Sequence, residues 1–438
     1  MNQGRLHSIL DNLNAGQSAA VDRIAGGWQT QDGHVRLTIV DGPPGTGKTH
    51  VAAAAAGRWV KDRRGRVVVL TPTHAAAERV RDKMLDVGFD GRQVLRLQPG
   101  NPRYDAQRGV LFLDRPESLP PNLRRLLQQT DVLITTWHAS QRALNAAPSF
   151  LLLVDEVSQV SFAAFLSILR RAYKQRPAGY ALLGDPQQLP VISTQEVLAT
   201  NAALGVLRRH PDCEPCRLEL QYRMNGPICR VVNEVRQRGF GGVPLQPGNN
   251  EVATRTLDRV APRYSWQGSP FADILNPRFP VVFVDTSRFV KEHDARERGV
   301  GTSWEYEAEA KLAMELAKAL KAACAGVDEE VVAVSSPYSA QVALMRRLGA
   351  PNAITIYRAQ GHEWDCVILS LTRTMGRTIM DELFQNVYVG LSRARSKLIV
   401  LLNTDLFGRY RILGSVLQLA GKERGIRTVQ ADPNWVAT

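Results

Sequence analysis

Residues 37–49 read Leu-Thr-Ile-Val-Asp-Gly-Pro-Pro-Gly-Thr-Gly-Lys-Thr, an apolar run that breaks into glycines and closes on a lysine and a threonine. The run Leu37 to Val40 is too short and too uniformly apolar for a half-exposed hairpin strand, so it reads as a buried parallel strand. The stretch that follows Lys48, with alanines at Ala52 to Ala56, reads as a helix packed closely on a sheet. A glycine-rich turn from strand to helix, Gly42, Pro43, Pro44, Gly45, Thr46, Gly47, Lys48 and Thr49, matches a phosphate-binding loop in residues and in context. Its glycines let successive backbone N–H groups turn inward around phosphate oxygens, and the helix N-terminus adds its dipole. Lys48 then neutralises charge and the Thr49 hydroxyl is placed to hold Mg²⁺. This spacing argues against a plain Gly/Pro turn.

Outward from that loop the same alternation continues. Val67 to Leu70, Val132 to Ile134, Leu151 to Val154 and Tyr180 to Leu183 are further short apolar runs, separated by helix-length amphipathic stretches. After a break it returns with strands expected at Val281 to Val284, Val331 to Ser335, Val367 to Leu371 and Leu398 to Leu402. Helices are expected at Glu305 to Ala323, Ser339 to Leu348 and Glu382 to Ala394. The fold class is α/β, with two doubly wound parallel-sheet domains in tandem. The first is expected over 1–195, a junction over 196–219, where prolines interrupt regular structure, and the second over 220–438. Two stretches break the rhythm. Residues 88–131, rich in proline and arginine, read as a small insertion in the first domain, and Gly239 to Pro280 as a surface segment of the second.

The composition sets outer limits. At about 150 residues per domain, 438 residues make roughly three units, or two large ones with an insertion. An apolar content of 44% with 22% charged residues supports full cores rather than disorder. The 55 basic against 42 acidic residues leave a net charge of +13, which favours a polyanionic partner. No apolar run approaches the roughly 18 residues a membrane-spanning helix needs. The first residues carry no basic segment followed by an apolar one, so secretion is not expected. Five scattered cysteines are no disulfide framework for a chain this long, and a reducing, intracellular setting, cytoplasmic or nuclear, is expected.

A phosphate loop needs a metal-side carboxylate at the end of a neighbouring strand, and Phe150 to Glu156 supplies it. Asp155 is placed to hold Mg²⁺ through water, leaving Glu156 to orient and deprotonate an attacking water. Paired acids that merely solvate a strand end are the alternative. These elements define a nucleotide hydrolase, and many functions share them.

Four further motifs narrow the field. Leu182-Leu183-Gly184-Asp185-Pro186-Gln187-Gln188-Leu189-Pro190 comes first, then Leu220-Gln221-Tyr222-Arg223-Met224. Ala359-Gln360-Gly361-His362-Glu363-Trp364-Asp365 and Val389-Gly390-Leu391-Ser392-Arg393-Ala394-Arg395 follow. In that order they resemble the superfamily 1 helicases, branch 1B, most closely the group of the nonsense-mediated-decay RNA helicase and its relatives. The resemblance runs from Leu13 to about Asn403. It implies two RecA-like domains, ATP and Mg²⁺ as cofactors, and movement 5′ to 3′ on a single strand of DNA or RNA. It further implies that Gln17 binds the adenine edge, that the base stacks on Tyr222 and that Glu363 contacts the ribose. By the same likeness Gln188 senses the γ-phosphate, Arg223 meets it from the second domain, and Arg393 is the arginine finger with Arg395 a close second.

For the nucleic-acid channel the resemblance points to Thr71, Pro72, Thr73 and His74, to Thr135, Thr136 and Trp137, to Pro337 and Tyr338, and to the stretch Thr372, Arg373 and Thr374. Small hydroxyls and backbone N–H groups at strand ends suit sequence-blind phosphate binding. Trp137 or Tyr338 stacking on a base is worth about 1–3 kcal/mol, although an aromatic residue is more often core. The chain departs from the family pattern at Val157, Asn225-Gly226, Tyr306, Tyr357 and Ala359, on the substrate side more than the hydrolytic one. Cys213 and Cys216, with His210 and Cys229 near, invite a zinc reading, but no second matching pair accompanies them and a free-thiol loop is the alternative.

The expected activity is therefore an ATP- and Mg²⁺-dependent helicase or translocase whose two domains close on ATP and reopen after hydrolysis. A P-loop kinase or nucleotide switch would leave Tyr222 and Arg393 without a task. A non-enzymatic nucleic-acid-binding module with a degenerate ATP site is the other rival, and the intact acids and arginines argue against it.

Overall fold

The computed structural model describes residues 1–26, 37–147, 150–175, 177–189, 203–209, 215–324, 331–375 and 380–436, the side chains of 380–383 excepted. The chain divides into two compact units. One comprises Met1–Pro186 with Pro190–Glu219, the other Gln187–Leu189 with Leu220–Thr438. Among the described residues no helix is long and apolar enough to cross a membrane.

Among the described residues the first unit is built on nine strands: β1 Leu37–Asp41, β2 Arg66–Thr71, β3 Val94–Gln98, β4 Arg103–Asp105, β5 Val110–Phe112, β6 Val132–Thr136, β7 Phe150–Val154, β8 Gly179–Gly184 and β9 Cys216–Arg217. Their order across the sheet is β4-β5-β3-β6-β2-β7-β8-β1-β9, and every pairing is parallel except β4 with β5. The central strands are buried along their length, which is why their sequences are unbroken apolar runs. The helix Lys48–Lys61 lays Ala52 to Ala56 against this sheet with almost no exposure, small side chains allowing a close approach.

Residues 88–130 differ from the expectation of an insertion. β3 pairs in parallel with β6, and β5 and β4 extend the same sheet beyond it. The apolar run of β3 is interrupted by Arg96, which is itself buried and donates to the Arg108 carbonyl at 3.1 Å with Glu78 3.4 Å away. A paired charge inside a strand hides the strand's period. At the opposite edge Cys216 and Arg217 pair with Val40 and Asp41, so this part of the expected junction belongs to the first sheet.

The second unit carries a small parallel pair, β10 Leu220–Gln221 with β11 Gln246–Pro247, and a six-stranded sheet. Its strands are β12 Val281–Asp285, β15 Val332–Ser336, β16 Ala353–Thr355, β17 Trp364–Ser370, β18 Ala394–Leu402 and β19 Ile426–Gln430, ordered β16-β15-β17-β18-β12-β19 and all parallel. A short antiparallel hairpin, β13 Arg298–Val300 with β14 Ser303–Glu305, precedes the long helix Glu307–Ala323. The segment 239–280 does more than cross the surface. Leu257, Tyr264, Phe271, Ile274 and Leu275 enter the core beneath the sheet from short helical turns and the loop between them, too irregularly spaced to announce a period.

Candidate nucleotide and nucleic-acid sites

In the first unit β1, β7, β2 and β6 are parallel, so the loops after all four emerge at the same end of the sheet. After β1 the chain turns through Gly45 (φ 79°) and Gly47 (φ 85°), a region open to glycine at little steric cost. Gly42 is required for a different reason. A Cβ there would lie 2.3 Å from Lys48 Cγ, because the lysine folds back along the loop and donates to the Gly42 carbonyl at 2.6 Å. The Thr46 hydroxyl closes the turn on the Pro43 carbonyl at 2.8 Å. Lys48 is only 8% exposed, a cation held inside a rim of backbone.

The acids arrive from β7. Thr49 Oγ1 donates to Asp155 Oδ2 at 3.3 Å, and Lys48 Nζ lies 3.7 Å from Glu156 Oε1. Burial, and after it the neighbouring Glu156 carboxylate, raises the Asp155 pKa to about 6, with Lys48 and hydrogen bonds from Glu156 N–H and Thr49 opposing. Glu156 has a left-handed backbone (φ 52°), uncommon for a non-glycine residue and of the kind that clusters at functional sites. Its Oε2 is buried with no hydrogen-bond partner. A hydroxyl beside a carboxylate short of positive charge is a donor set suited to a hard dication. The orphaned oxygen next to it is suited to accept a proton from water.

Gln17 is tied to this loop. It caps its own helix reciprocally with Asn14, receiving Asn14 N–H at 3.3 Å and donating its own N–H to Asn14 Oδ1 at 3.0 Å. Its amide also donates to the Thr46 carbonyl at 3.0 Å. Further along the sheet, Thr71 and Thr136 end β2 and β6 in register with each other. Thr71 Oγ1 donates to the Thr73 carbonyl, and Thr135 Oγ1 to that of Leu97. Thr73 caps the helix His74–Val87, leaving Thr73 and His74 exposed and Pro72 half-buried. Trp137, 9% exposed, packs into the core beneath.

In the second unit the sequence-selected residues fall at both ends of the sheet. At the amino end, Glu363 precedes β17 and receives Arg223 and Arg395 together. Arg223 also donates to the Ser392 carbonyl at 3.1 Å. Burial would raise the Glu363 pKa, but the two arginines outweigh it and hold the carboxyl at about 2. Arg393 turns inward instead. It is 2% exposed and donates to the carbonyls of Val389 and His362 and to Ser392 Oγ. Arg395, taken as second to Arg393 from the motif, is the more exposed of the two. Tyr222 lies against Gly248, where a Cβ would meet its ring, and Gln188 is buried in the short stretch that belongs to this unit.

At the carboxyl end, about 20 Å away along β17 at the usual rise per residue, lie Pro337, Tyr338, Thr372 and Arg373. Thr372 has φ 67°, a genuine outlier for a β-branched residue, and is fully buried. The cause is Glu309, a residue the motifs did not select. Its carboxylate accepts the Thr372 N–H at 2.9 Å, the Ser370 hydroxyl at 2.6 Å and the Thr286 hydroxyl at 3.0 Å. Thr372 Oγ1 lies 3.1 Å from Ser336 Oγ, joining the ends of β15 and β17. The available signal was one of phase: Glu309 shares the buried face of its helix with Leu312, Ala313 and Leu316.

Cys213 and His210, on which the zinc reading depends, lie outside the described residues. Cys216 accepts from Arg23 at 3.5 Å, and Cys229 is buried. Among the described residues no group of three or more His, Cys, Asp or Glu could hold a metal ion.

Two AAA-domain family models match this chain, at residues 12–208 and 201–405. An uncharacterised ATP-dependent helicase of Methanocaldococcus jannaschii is 25% identical over 68% of this chain and 42% of its own length. The DNA polymerase alpha-associated DNA helicase A of Saccharomyces cerevisiae is 23% identical over 85% and 63%. Regulator of nonsense transcripts 1 of Caenorhabditis elegans is 24% identical over 92% and 39%. The chain spans less than two thirds of the length of each of these relatives.

Proposed function

We propose, for a chain that belongs with the superfamily 1 helicases of the nonsense-transcript-regulator branch, that it is an ATP-dependent helicase or translocase on single-stranded nucleic acid. One observation carries the hydrolytic half: Lys48, Thr49, Asp155 and Glu156 stand within hydrogen-bond or ion-pair reach at one end of one sheet. Lys48 neutralises the β- and γ-phosphates within the backbone rim of Gly42–Gly47. Thr49 and Asp155 hold Mg²⁺, which when bound offsets phosphate charge. Glu156, with one oxygen unpaired, orients the water and takes its proton. Gln17, fixed against the phosphate loop, presents its side chain to the base, and Tyr222 supplies the stacking face.

Arg223 and Arg395 of the second unit act on the phosphates held by the first, so hydrolysis depends on the two units coming together. An arginine delivered in this way is worth about 10³ to 10⁵ in rate. Arg393, bonded to the backbone around it, positions the loop that carries Arg395. The strand runs over Thr71–His74, Thr136, Tyr338 and Thr372–Arg373, where hydroxyls and main-chain groups at strand ends read phosphates rather than bases. The net charge of +13 suits such a track. The direction of movement, 5′ to 3′, follows the family.

Displacement of streptavidin from single strands biotinylated at either end tests the whole reading with the full chain. ATP-dependent release from the 3′-labelled strand alone is expected. Release from neither, with ATP hydrolysis intact, would leave a nucleotide switch.

A further inference from the structure

The loop that leaves β17 gathers three hydrogen-bond donors onto one carboxylate. Arg373 Nε donates to Glu297 Oε1 at 3.0 Å, the Met375 N–H donates to the same oxygen at 3.2 Å, and the Thr374 hydroxyl donates to Oε2. The Glu297 side chain is 1% exposed and that of Arg373 11%. Guanidinium, hydroxyl and backbone N–H together form the donor set that proteins direct at nucleic-acid phosphates. Here an acid of the chain itself fills it.

Arg373 does not depend on Glu297 alone for its place. Its guanidinium lies 4.0 Å over the Trp304 ring, its Nη2 donates to the Met375 carbonyl at 3.0 Å, and the Tyr338 hydroxyl lies against it. Thr372, one residue back, is anchored by Glu309. The donors are thus fixed from behind and from the side, whereas Glu297 reaches them from the foot of the hairpin β13–β14, whose first strand is exposed throughout. The arrangement is a preformed anion site with a removable occupant.

We propose that Arg373, Thr374 and the Met375 N–H bind one backbone phosphate of the single strand, and that Glu297 is an internal surrogate for it, displaced as the strand enters. The inference rests on the nucleic-acid reading above and adds to it a named phosphate site and a built-in competitor. No net charge is gained at Arg373 on binding, since one anion replaces another. Only the Glu297 side chain has to leave the donors as the strand arrives, while Trp304 and the Met375 carbonyl keep Arg373 in place.

The counterion slope reads this directly, because each phosphate newly neutralised on a single strand adds about 0.7 to the dependence of log affinity on log salt. Anisotropy of labelled oligouridine and oligothymidine with the full chain, from about 50 to about 200 mM salt, is the assay. Glu297→Gln should bind more tightly at low salt and lose about 2.5-fold more affinity over that range than the parent, a slope steeper by about 0.7. Arg373→Gln in the parent should leave the slope unchanged, and the double variant should return to the parent slope. A Glu297→Gln protein with the parent slope or weaker binding would overturn the proposal. So would a slope lowered by about 0.7 in Arg373→Gln, which would mean that Arg373 meets phosphate unmasked. If Glu297→Gln fails to melt cooperatively, Glu297→Ala takes its place, with the same steeper slope expected and the parent slope overturning the proposal. A parent chain that binds neither polymer would remove the nucleic-acid reading itself, an outcome distinct from binding with the wrong slopes.

Discussion

Replacing Glu309 with glutamine should stabilise the chain above neutral pH and change little near pH 5. Glu309 is fully buried, and burial raises its pKa from the ordinary 4.5 to about 7, although hydrogen bonds from Ser370, Thr372 and Thr286 oppose the rise. Between those values the folded chain keeps a proton that the unfolded chain has released, so stability falls as pH rises. At about 1.4 kcal/mol per pH unit the loss reaches about 3 kcal/mol once the pH exceeds 7. Glutamine is neutral throughout and fits the same contacts. Its oxygen can face the Thr372 N–H, and its amide can face Thr286 Oγ1, a hydroxyl able to accept as well as donate. Asp155, raised to about 6, and Lys397, lowered by burial to about 7, also move the pH profile, but they are common to both proteins and cancel in the difference. Denaturant unfolding of the full-length parent and variant at pH 5 and pH 8 is the assay. The expected difference is near zero at the lower pH and about 2 to 3 kcal/mol in favour of the variant at the higher. An equal difference at both values, or a more stable parent at pH 8, would mean that the three donors hold Glu309 ionised and that its burial costs nothing.

Other outcomes follow from the phosphate loop and its acids. Lys48→Ala should abolish ATP turnover in a steady-state phosphate-release assay. Glu156→Gln should retain ATP in equilibrium binding while turnover falls by about 10² to 10⁴; parent-like turnover would remove Glu156 as the base. Gly42→Ala should weaken ATP binding, read by nucleotide titration, since its Cβ collides with the Lys48 stem. At the other end of the chemistry, the Glu363 pair with Arg223 and Arg395 stabilises above the ordinary carboxylate range and is lost as pH falls toward 2. Glu363→Gln should therefore narrow the stability gap between neutral and acid pH.

The parallel strands were legible because burial on both faces writes them as unbroken apolar runs, and β1, β7 and β12 lie where such runs stand. The same logic failed at β3, where Arg96 is neutralised inside the strand, and over 239–280, where core residues sit on short turns without a period. Lys48, Thr49, Asp155 and Glu156 could be selected because the phosphate loop is contiguous and its acid partner ends a recognisable strand. Glu297 and Glu309 could not. They reach Thr372–Met375 across more than sixty residues; the phase of Glu309 with Leu312, Ala313 and Leu316 marks it as inward-facing but does not say which loop it meets. The motif ranked Arg393 before Arg395, and sequence spacing does not say that Arg393 is buried among backbone carbonyls while Arg395 is half-buried against Glu363.

Steady-state ATP hydrolysis with no polymer, with single-stranded DNA and with single-stranded RNA, using Glu156→Gln as the blank at low and high salt, shows whether the nucleotide site answers to a nucleic-acid strand. Stimulation by at least one polymer, weakening as salt rises, is expected of a nucleic-acid-dependent motor. Basal hydrolysis intact and indifferent to both polymers would contradict it.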